Sequence, residues 1–407
     1  MDWISNSKYS NLAIGNYIIL ALFGVLLRFM QLFPFPEGNY MFLLHAHSHF
    51  AFSGWMFFSL ALLIAQSISS GNNSSEYRNV FIGSLVSAFG MLITFSIQGY
   101  NLLSIGFSTL FIFVTYRFAY LVFKGGRLRQ KMNEIAFKLI SGALILLCIS
   151  SIGPFALAPL KASGFGNSPL YQDAIYFYLH FQMNGFMLLA ALGLLASGFL
   201  TPDLNRNSRI WLYLFILSAA PLFFIFTLWA DPPVWVWIMA FGGALLNLSS
   251  WLILCFHYKA EGANFTFLQK AAIVAITLKV GMQVIICIPA VGEWTFINRN
   301  LIIGYVHLLT LGCVMPLILD QFINRGLLIG GQLLRLLNSV FILTVITYLG
   351  LLFTQPLLSV FSWSIPAYQQ LLMAVSLVFP VTGFLYYFRL KPASKTALRE
   401  PAMLEAV

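Results

Sequence analysis

The run YMFLLHAHSHFAFSGWMFFSLALLIAQ, residues 40–66, decides the fold of this chain, because it contains no Asp, Glu, Lys or Arg. An α-helix rises 1.5 Å per residue, so about 20 apolar residues are enough to cross the hydrocarbon core of a bilayer. Of all 407 residues, 60% are hydrophobic and 8% are charged. Soluble domains carry about 25% charged residues, so this composition excludes that class and predicts a membrane protein.

Comparable apolar runs recur along the whole chain. Because they are continuously apolar rather than alternating, they indicate helices and exclude a β-barrel. The predicted fold class is an all-α polytopic membrane protein, with one integral domain over residues 1–390 and a short polar tail over residues 391–407. We expect no cleaved signal peptide, and no internal repeat is evident that would support an inverted-repeat transporter. We predict about twelve spans, at residues 12–33, 40–66, 77–98, 101–123, 135–157, 171–199, 209–229, 233–256, 269–290, 299–320, 336–355 and 367–389.

The distribution of Lys and Arg sets the expected orientation. The formal net charge is +10, and in a membrane protein this excess is typical of cytoplasmic connections rather than of nucleic-acid binding. Basic residues concentrate after spans 4, 6, 8 and 10 and in the tail, with Lys161 and Arg299 as the exceptions on the other side. We therefore expect a multi-pass protein of the cell inner membrane, surrounded by lipid, with both termini in the cytoplasm and no nucleic-acid partner.

Five of the six histidines lie a few residues inside spans that start at the outer face. They are His45, His47 and His49 in span 2, His180 in span 6 and His307 in span 10. The rise of a helix places each of them about 6–14 Å below that face. An imidazole in hydrocarbon is unfavourable unless it is hydrogen-bonded or bound to a metal. Five at one depth predict a buried metal centre, with heme as the leading candidate.

Helical geometry divides the histidines of span 2 between two faces. His45 and His49 share one face, whereas His47 points about 160° away. A b-type heme with two imidazole ligands needs one histidine on each of two facing helices, and His45 with His307 supplies that pair. His47, His49 and His180 exceed what one heme requires, so we predict a second metal. Copper is the expected ion, because imidazole suits it.

Two of the cations inside the predicted spans are candidate functional residues. Arg28, near the outer end of span 1, is expected to pair with a heme propionate or with an outer carboxylate such as Glu37 or Glu293, or to extend to the surface. Lys279 lies near the middle of span 9, with Gln283 at i+4 on the same face. We expect Lys279 to be a partner of a cofactor carboxylate or part of a proton path. The four cysteines form no CxxC or CxxCH pattern, so disulfides and covalently attached heme have no support.

Histidines on spans 2, 6 and 10 of twelve resemble the heme-copper oxidase subunit I superfamily. In detail, His45-Ala46-His47 and the aromatic-rich helix that follows are similar to the HAH segment of the NnrS-type family, membrane proteins with heme and copper linked to nitric oxide metabolism. HLLTLG, residues 307–312, is similar to that family's HxLTxG segment. The resemblance implies an oxidase-like bundle with a heme layer near the outer face. It also implies a role in respiratory electron transfer or in handling a diatomic gas, NO or O2, with the electron donor and any partner subunit left open.

Two departures from the superfamily limit the expected chemistry. Span 7 has no histidine where the superfamily places a copper-binding His-His pair, and Tyr305 stands at the first position of the HxH pattern on span 10. We therefore expect an incomplete oxygen-reducing copper site and no full proton-pumping oxidase reaction, while weaker oxidoreductase activity stays open. The alternative is a metal-ion or small-solute transporter that uses the outer histidine cluster. Few carboxylates or thiols lie along a path through the inner half, which favours heme.

Overall fold

The computed structural model describes residues 7–68, 74–198, 206–260 and 264–391. Within them, twelve helices are long and apolar enough to cross a membrane, which confirms the all-α polytopic fold. Their ends differ from the sequence-based limits by a few residues, and the tail from residue 392 lies outside the described residues. In order, spans 1 to 12 are Lys8–Phe29, Tyr40–Ile68, Ser75–Gln98, Leu102–Phe123, Glu134–Ala162, Pro169–Ser197, Arg206–Ala230, Val234–His257, Phe267–Ile286, Arg299–Asn324, Gln332–Val360 and Tyr368–Phe388.

Spans 2, 6 and 10 form the centre of the bundle. They pack against one another, and in their most apolar stretches 83%, 94% and 61% of the residues are buried, against 33% to 50% in the other nine spans. The outer spans surround this core in chain order, and span 12 packs against span 1 and closes the ring. The core residues are therefore shielded from lipid, and the spans that carry the five histidines are the three at the centre.

Each central span contains one seven-residue π-helical segment. The segments are Ala51–Phe57 in span 2, Phe181–Met187 in span 6 and Leu308–Val314 in span 10. Each begins one or two residues after a histidine, namely His49, His180 or His307. A π-helical turn takes one more residue than an α-helical turn and occurs frequently at functional sites. The irregular backbone therefore coincides with the candidate ligands.

The same three positions carry a repeated sequence motif, which the sequence analysis missed. The motif His-x-x-x-x-Gly occurs as HFAFSG at residues 49–54, HFQMNG at 180–185 and HLLTLG at 307–312, at intervals of about 130 residues, or four spans. The glycine has a packing reason. A Cβ at Gly185 would lie 2.9 Å from Leu146 Cβ, and one at Gly54 would lie 2.8 Å from the Phe50 ring. The motif thus recurs once on each central span, at intervals of four spans.

Two outer spans depart from regular α-helix near the histidines. Span 5 is interrupted at Ser151, between the helices Glu134–Ser150 and Ile152–Ala162. In span 7 the α-helix Arg206–Leu217 is followed by the short helix Ala219–Leu222, which contains Pro221, and then by the 3-10 helix Phe223–Ala230. A proline lacks the N–H that continues an α-helix, so carbonyl groups near this point are free to accept other hydrogen bonds.

Short helices outside the spans are Arg127–Lys131, before span 5, and Pro289–Ile297, before span 10. The connection between spans 3 and 4 has three residues. Gly99 adopts φ +61° there, and a Cβ at this position would lie 2.4 Å from the Phe42 ring. The Asn101 side chain accepts from the Leu102 N–H and caps span 4. This tight connection places Tyr100 above span 2.

Candidate functional site

The five histidines lie in three compartments, each beside a central span and the span that follows it. We name them by those spans. The 2/3 compartment contains His45 and His49, the 6/7 compartment contains His180, and the 10/11 compartment contains His47 and His307. The expected division of span 2 into two faces is confirmed, because His47 lies in a different compartment from His45 and His49. No single ion can therefore be bound by all five side chains in this arrangement.

In the 10/11 compartment, imidazoles from two central spans lie within electrostatic range of each other. The Nδ1–H of His307 donates to the Ile303 carbonyl at 2.8 Å, which leaves Nε2 of that ring free to bind a ligand. His47 lies within electrostatic range of His307, and its Nδ1 is buried with no hydrogen-bond partner. Both rings are only partly buried although their spans form the core. The geometry brings His47, rather than His45, to His307.

Arg28 is the charged group of the 10/11 compartment. Its residue surface is only 7% exposed, and it donates to the Tyr348 hydroxyl at 2.7 Å and to Gln31 Oε1 at 3.3 Å. The expected contact with Glu37 or Glu293 is not formed, since no described carboxylate pairs with Arg28. The guanidinium is therefore buried near both histidines without a counter-ion from the described parts of the chain.

A chain of hydrogen bonds crosses the 6/7 compartment. Gln283 Nε2 donates to the Tyr305 hydroxyl at 2.9 Å, and Tyr305 donates to Asn184 Oδ1 at 3.3 Å. Asn184 Nδ2 then donates to His180 Nδ1 at 3.3 Å, and His180 Nε2–H donates to the Ala219 carbonyl at 2.7 Å. The chain joins spans 9, 10, 6 and 7. Both nitrogens of His180 are thus engaged, and a metal ion there would have to replace one of these bonds.

Lys279 belongs to the 6/7 compartment. It is 1% exposed, and no hydrogen bond or ion pair joins it to a residue that the structure describes. Its electrostatic neighbours are His180 and Cys313, and Gln283 Oε1 is buried without a partner. Burial of an amine without a partner is unfavourable. This makes Lys279 a functional candidate, in a different compartment from Arg28.

In the 2/3 compartment, His45 and His49 surround a phenol. The Tyr100 ring lies edge-on to both imidazoles, with centroid distances of 4.7 Å to His45 and 5.8 Å to His49. The Tyr100 hydroxyl is 3.0 Å from His49 Nε2. Phe95 stacks on the His49 ring at 4.3 Å with an interplanar angle of 9°, and this contact fixes the ring orientation.

Three side chains that contact the histidines or their partners were not assigned to a site from the sequence. Tyr348, which contacts His307 and Arg28, was not singled out, and Tyr100 and Asn184 were not assigned to particular histidines. The motif His-x-x-x-x-Gly would have identified one position in each compartment. The contacts to Tyr348 and Tyr100 depend on how neighbouring spans rotate, and no local pattern contains that information.

Among the residues that the structure describes, no three His, Cys, Asp or Glu side chains lie together in a group that could hold a metal ion. A site with a tyrosine ligand is a different arrangement, and heme needs two protein ligands rather than three. The copper and heme predictions therefore stay predictions. No family model matches the chain, and no curated protein matches its sequence.

Proposed function

We propose that this multi-pass membrane protein binds one b-type heme in the 10/11 compartment and transfers electrons. His47 and His307 are the proposed axial ligands, from spans 2 and 10. The observation that carries the proposal is that these two imidazoles, on two central spans, lie within electrostatic range of each other and of a buried guanidinium that no described carboxylate neutralises.

The residues of the compartment fit heme in three respects. His307 is held by the Ile303 carbonyl so that Nε2 is free, as expected for a histidine ligand whose other nitrogen donates to a carbonyl. The His47 ring has a backbone hydrogen bond to Leu20 of span 1, and its Nδ1 is buried without a hydrogen-bond partner. Arg28 would pair with a cofactor carboxylate, since bidentate contacts of arginine with carboxylates are strong. The Tyr348 ring lies 5.4 Å from His307 and packs beside it.

Two imidazole ligands favour electron transfer over catalysis. A bound bis-histidine heme supplies one-electron redox chemistry. With both axial positions taken by the protein, a gas such as NO or O2 would have to displace a histidine. For the same reason we do not extend the proposal to oxygen reduction. We place the protein in the cell inner membrane with both termini in the cytoplasm, on the basis of its Lys and Arg distribution.

Absorption spectroscopy of the purified chain tests the proposal. The protein is produced with excess heme and purified in detergent, and its oxidised and reduced spectra are recorded. We expect a Soret band and the reduced bands of a b-type cytochrome, lost in His47→Ala and in His307→Ala. His45→Ala is the matched control, since it removes an imidazole of the same helix from a different compartment, and it should keep the spectrum. A wild-type protein without Soret absorbance contradicts the proposal and favours a transporter. A His307→Ala variant with full heme contradicts the assignment of His307 as a ligand.

A further inference from the structure

The 2/3 compartment contains a second set of potential metal ligands. His45 and His49 are separated by one helical turn, and both rings contact Tyr100. Side chains at i and i+4 of a helix are neighbours, and two histidines in that relation can bind one metal ion, as in helical zinc sites. The three side chains offer two imidazole nitrogens and one phenol oxygen.

The connection between spans 3 and 4 holds the oxygen donor in place. Gly99 permits the turn, Asn101 caps the next helix, and the Tyr100 hydroxyl lies 3.0 Å from His49 Nε2. Two atoms that share one metal ion at about 2.0–2.1 Å lie close to this separation or slightly beyond it. Phe95 holds the His49 ring by stacking, and the ring nitrogens of His45 form no hydrogen bond within the described residues. Small ring movements are enough to direct all three donors at one point.

This compartment reaches the surface of the bundle, unlike the 6/7 compartment. Tyr100 is 59% exposed, and His45 and His49 are only partly buried, near the end of span 2 that begins at Tyr40. His180, by contrast, is 1% exposed and uses both nitrogens. The His45 and His49 rings therefore lie near the surface of the bundle rather than in its buried centre.

We propose that His45, His49 and Tyr100 form a binding site for Cu(II), separate from the heme ligands. Among divalent first-row ions, Cu(II) binds nitrogen and oxygen donors most tightly. The bond from the Tyr100 hydroxyl to His49 is replaced by bonds from both groups to the metal, and the phenol proton leaves to water. Water completes the coordination. The inference does not depend on the heme proposal, because His47 and His307 lie in the 10/11 compartment.

Copper titration of the full chain tests the site. The purified protein is treated with a chelator, and Cu(II) is added against a coloured competitor chelator. We expect one Cu(II) per chain, with an electron paramagnetic resonance spectrum that shows nitrogen ligands. His45→Ala, His49→Ala and Tyr100→Phe should each weaken binding at least tenfold, because even the loss of an outer partner of a metal ligand reduces affinity 10- to 100-fold. His257→Ala, at the far end of span 8, is the control and should bind as the wild type does.

Two further measurements distinguish loss of the copper site from unfolding of the chain and from damage to the 10/11 compartment. The thermal unfolding midpoint of each variant shows whether it is folded, and the heme spectrum shows whether the 10/11 compartment is intact. A folded His45→Ala, His49→Ala double variant that still binds one Cu(II) as tightly as the wild type overturns the proposal, as does a wild type that binds none. If heme is absent but copper binding depends on these residues, the heme proposal fails and the copper site stands.

Discussion

The Arg28 guanidinium donates a 2.7 Å hydrogen bond to the Tyr348 hydroxyl, and the Tyr348 ring lies 5.4 Å from the His307 ring. This relationship joins spans 1, 11 and 10 around the 10/11 compartment. A neutral phenol is a weak partner for a buried cation, since it leaves the charge uncompensated. Arg28 can therefore form an ion pair with a negatively charged group that binds in the 10/11 compartment.

Removal of the Arg28 charge should lower the reduction potential of the bound heme. A positive charge stabilises the reduced form, which carries one positive charge fewer than the oxidised form. We expect Arg28→Gln to shift the midpoint potential downward by about 60 mV, a tenfold change in a one-electron equilibrium. Redox titration followed by absorbance measures the shift. Arg299→Gln, an exposed arginine bonded to Tyr40, is the control; equal shifts in both variants would argue against a specific role for Arg28.

Tyr305 should contribute to stability through two hydrogen bonds. Tyr305→Phe keeps the ring but leaves Gln283 Nε2 and Asn184 Oδ1 without their partner. Interhelical hydrogen bonds in membranes average about 0.6 kcal/mol, so we expect a loss of about 1 kcal/mol in the free energy of unfolding. Titration with a denaturing detergent measures it. Tyr120→Phe is the control, because Tyr120 is 54% exposed; a loss of the same size there would show that the network contributes nothing specific.

We expect Lys279 to contribute to function while lowering the free energy of unfolding of the protein. Lys279→Met keeps a long, flexible side chain and removes a buried amine that has no partner among the described residues. Replacement of such a group by an apolar one of similar shape is often neutral or stabilising. We therefore expect unfolding at the same or a higher detergent concentration, together with altered redox or ligand-binding behaviour. Lys138→Met is the comparison, since Lys138 is ion-paired with Glu134. A large destabilisation in Lys279→Met would instead indicate a structural role.

The neighbouring glycines of span 8 should respond oppositely to alanine. A Cβ at Gly243 would lie 2.9 Å from the Leu222 nitrogen and from the Pro221 carbonyl carbon, whereas a Cβ at Gly242 meets nothing within 4 Å. Backbone atoms cannot move aside as side chains do, so Gly243→Ala should cost about 1–3 kcal/mol. Gly242→Ala should be neutral or slightly stabilising, because alanine favours helix. Thermal unfolding of the two variants compares them directly, and equal effects would contradict this packing.

The fold could be predicted from the sequence more completely than the candidate site, for physical reasons. Span 2 was predicted at 40–66 and is Tyr40–Ile68, because apolar length alone determines where a membrane helix can lie. The helical wheel correctly separated His47 from His45 and His49. It could not show which face of span 2 meets span 10. That depends on how span 2 is rotated against its neighbours, and His47 packs against Gly24 of span 1. The π-helical segments also break the 3.6-residue period.

The last prediction concerns the orientation of the chain in the membrane. The orientation determines which aqueous side each compartment lies nearest. Lys and Arg concentrate in the even-numbered connections, so the positive-inside rule places those connections and both termini in the cytoplasm. A fluorescent protein fused after Arg129 or after Lys391 should fold and fluoresce, whereas alkaline phosphatase should be active only after Gly164. The Cu(II) ligands His45, His49 and Tyr100 would then face the outer side. An active phosphatase after Arg129 would reverse the orientation and place copper access on the cytoplasmic side.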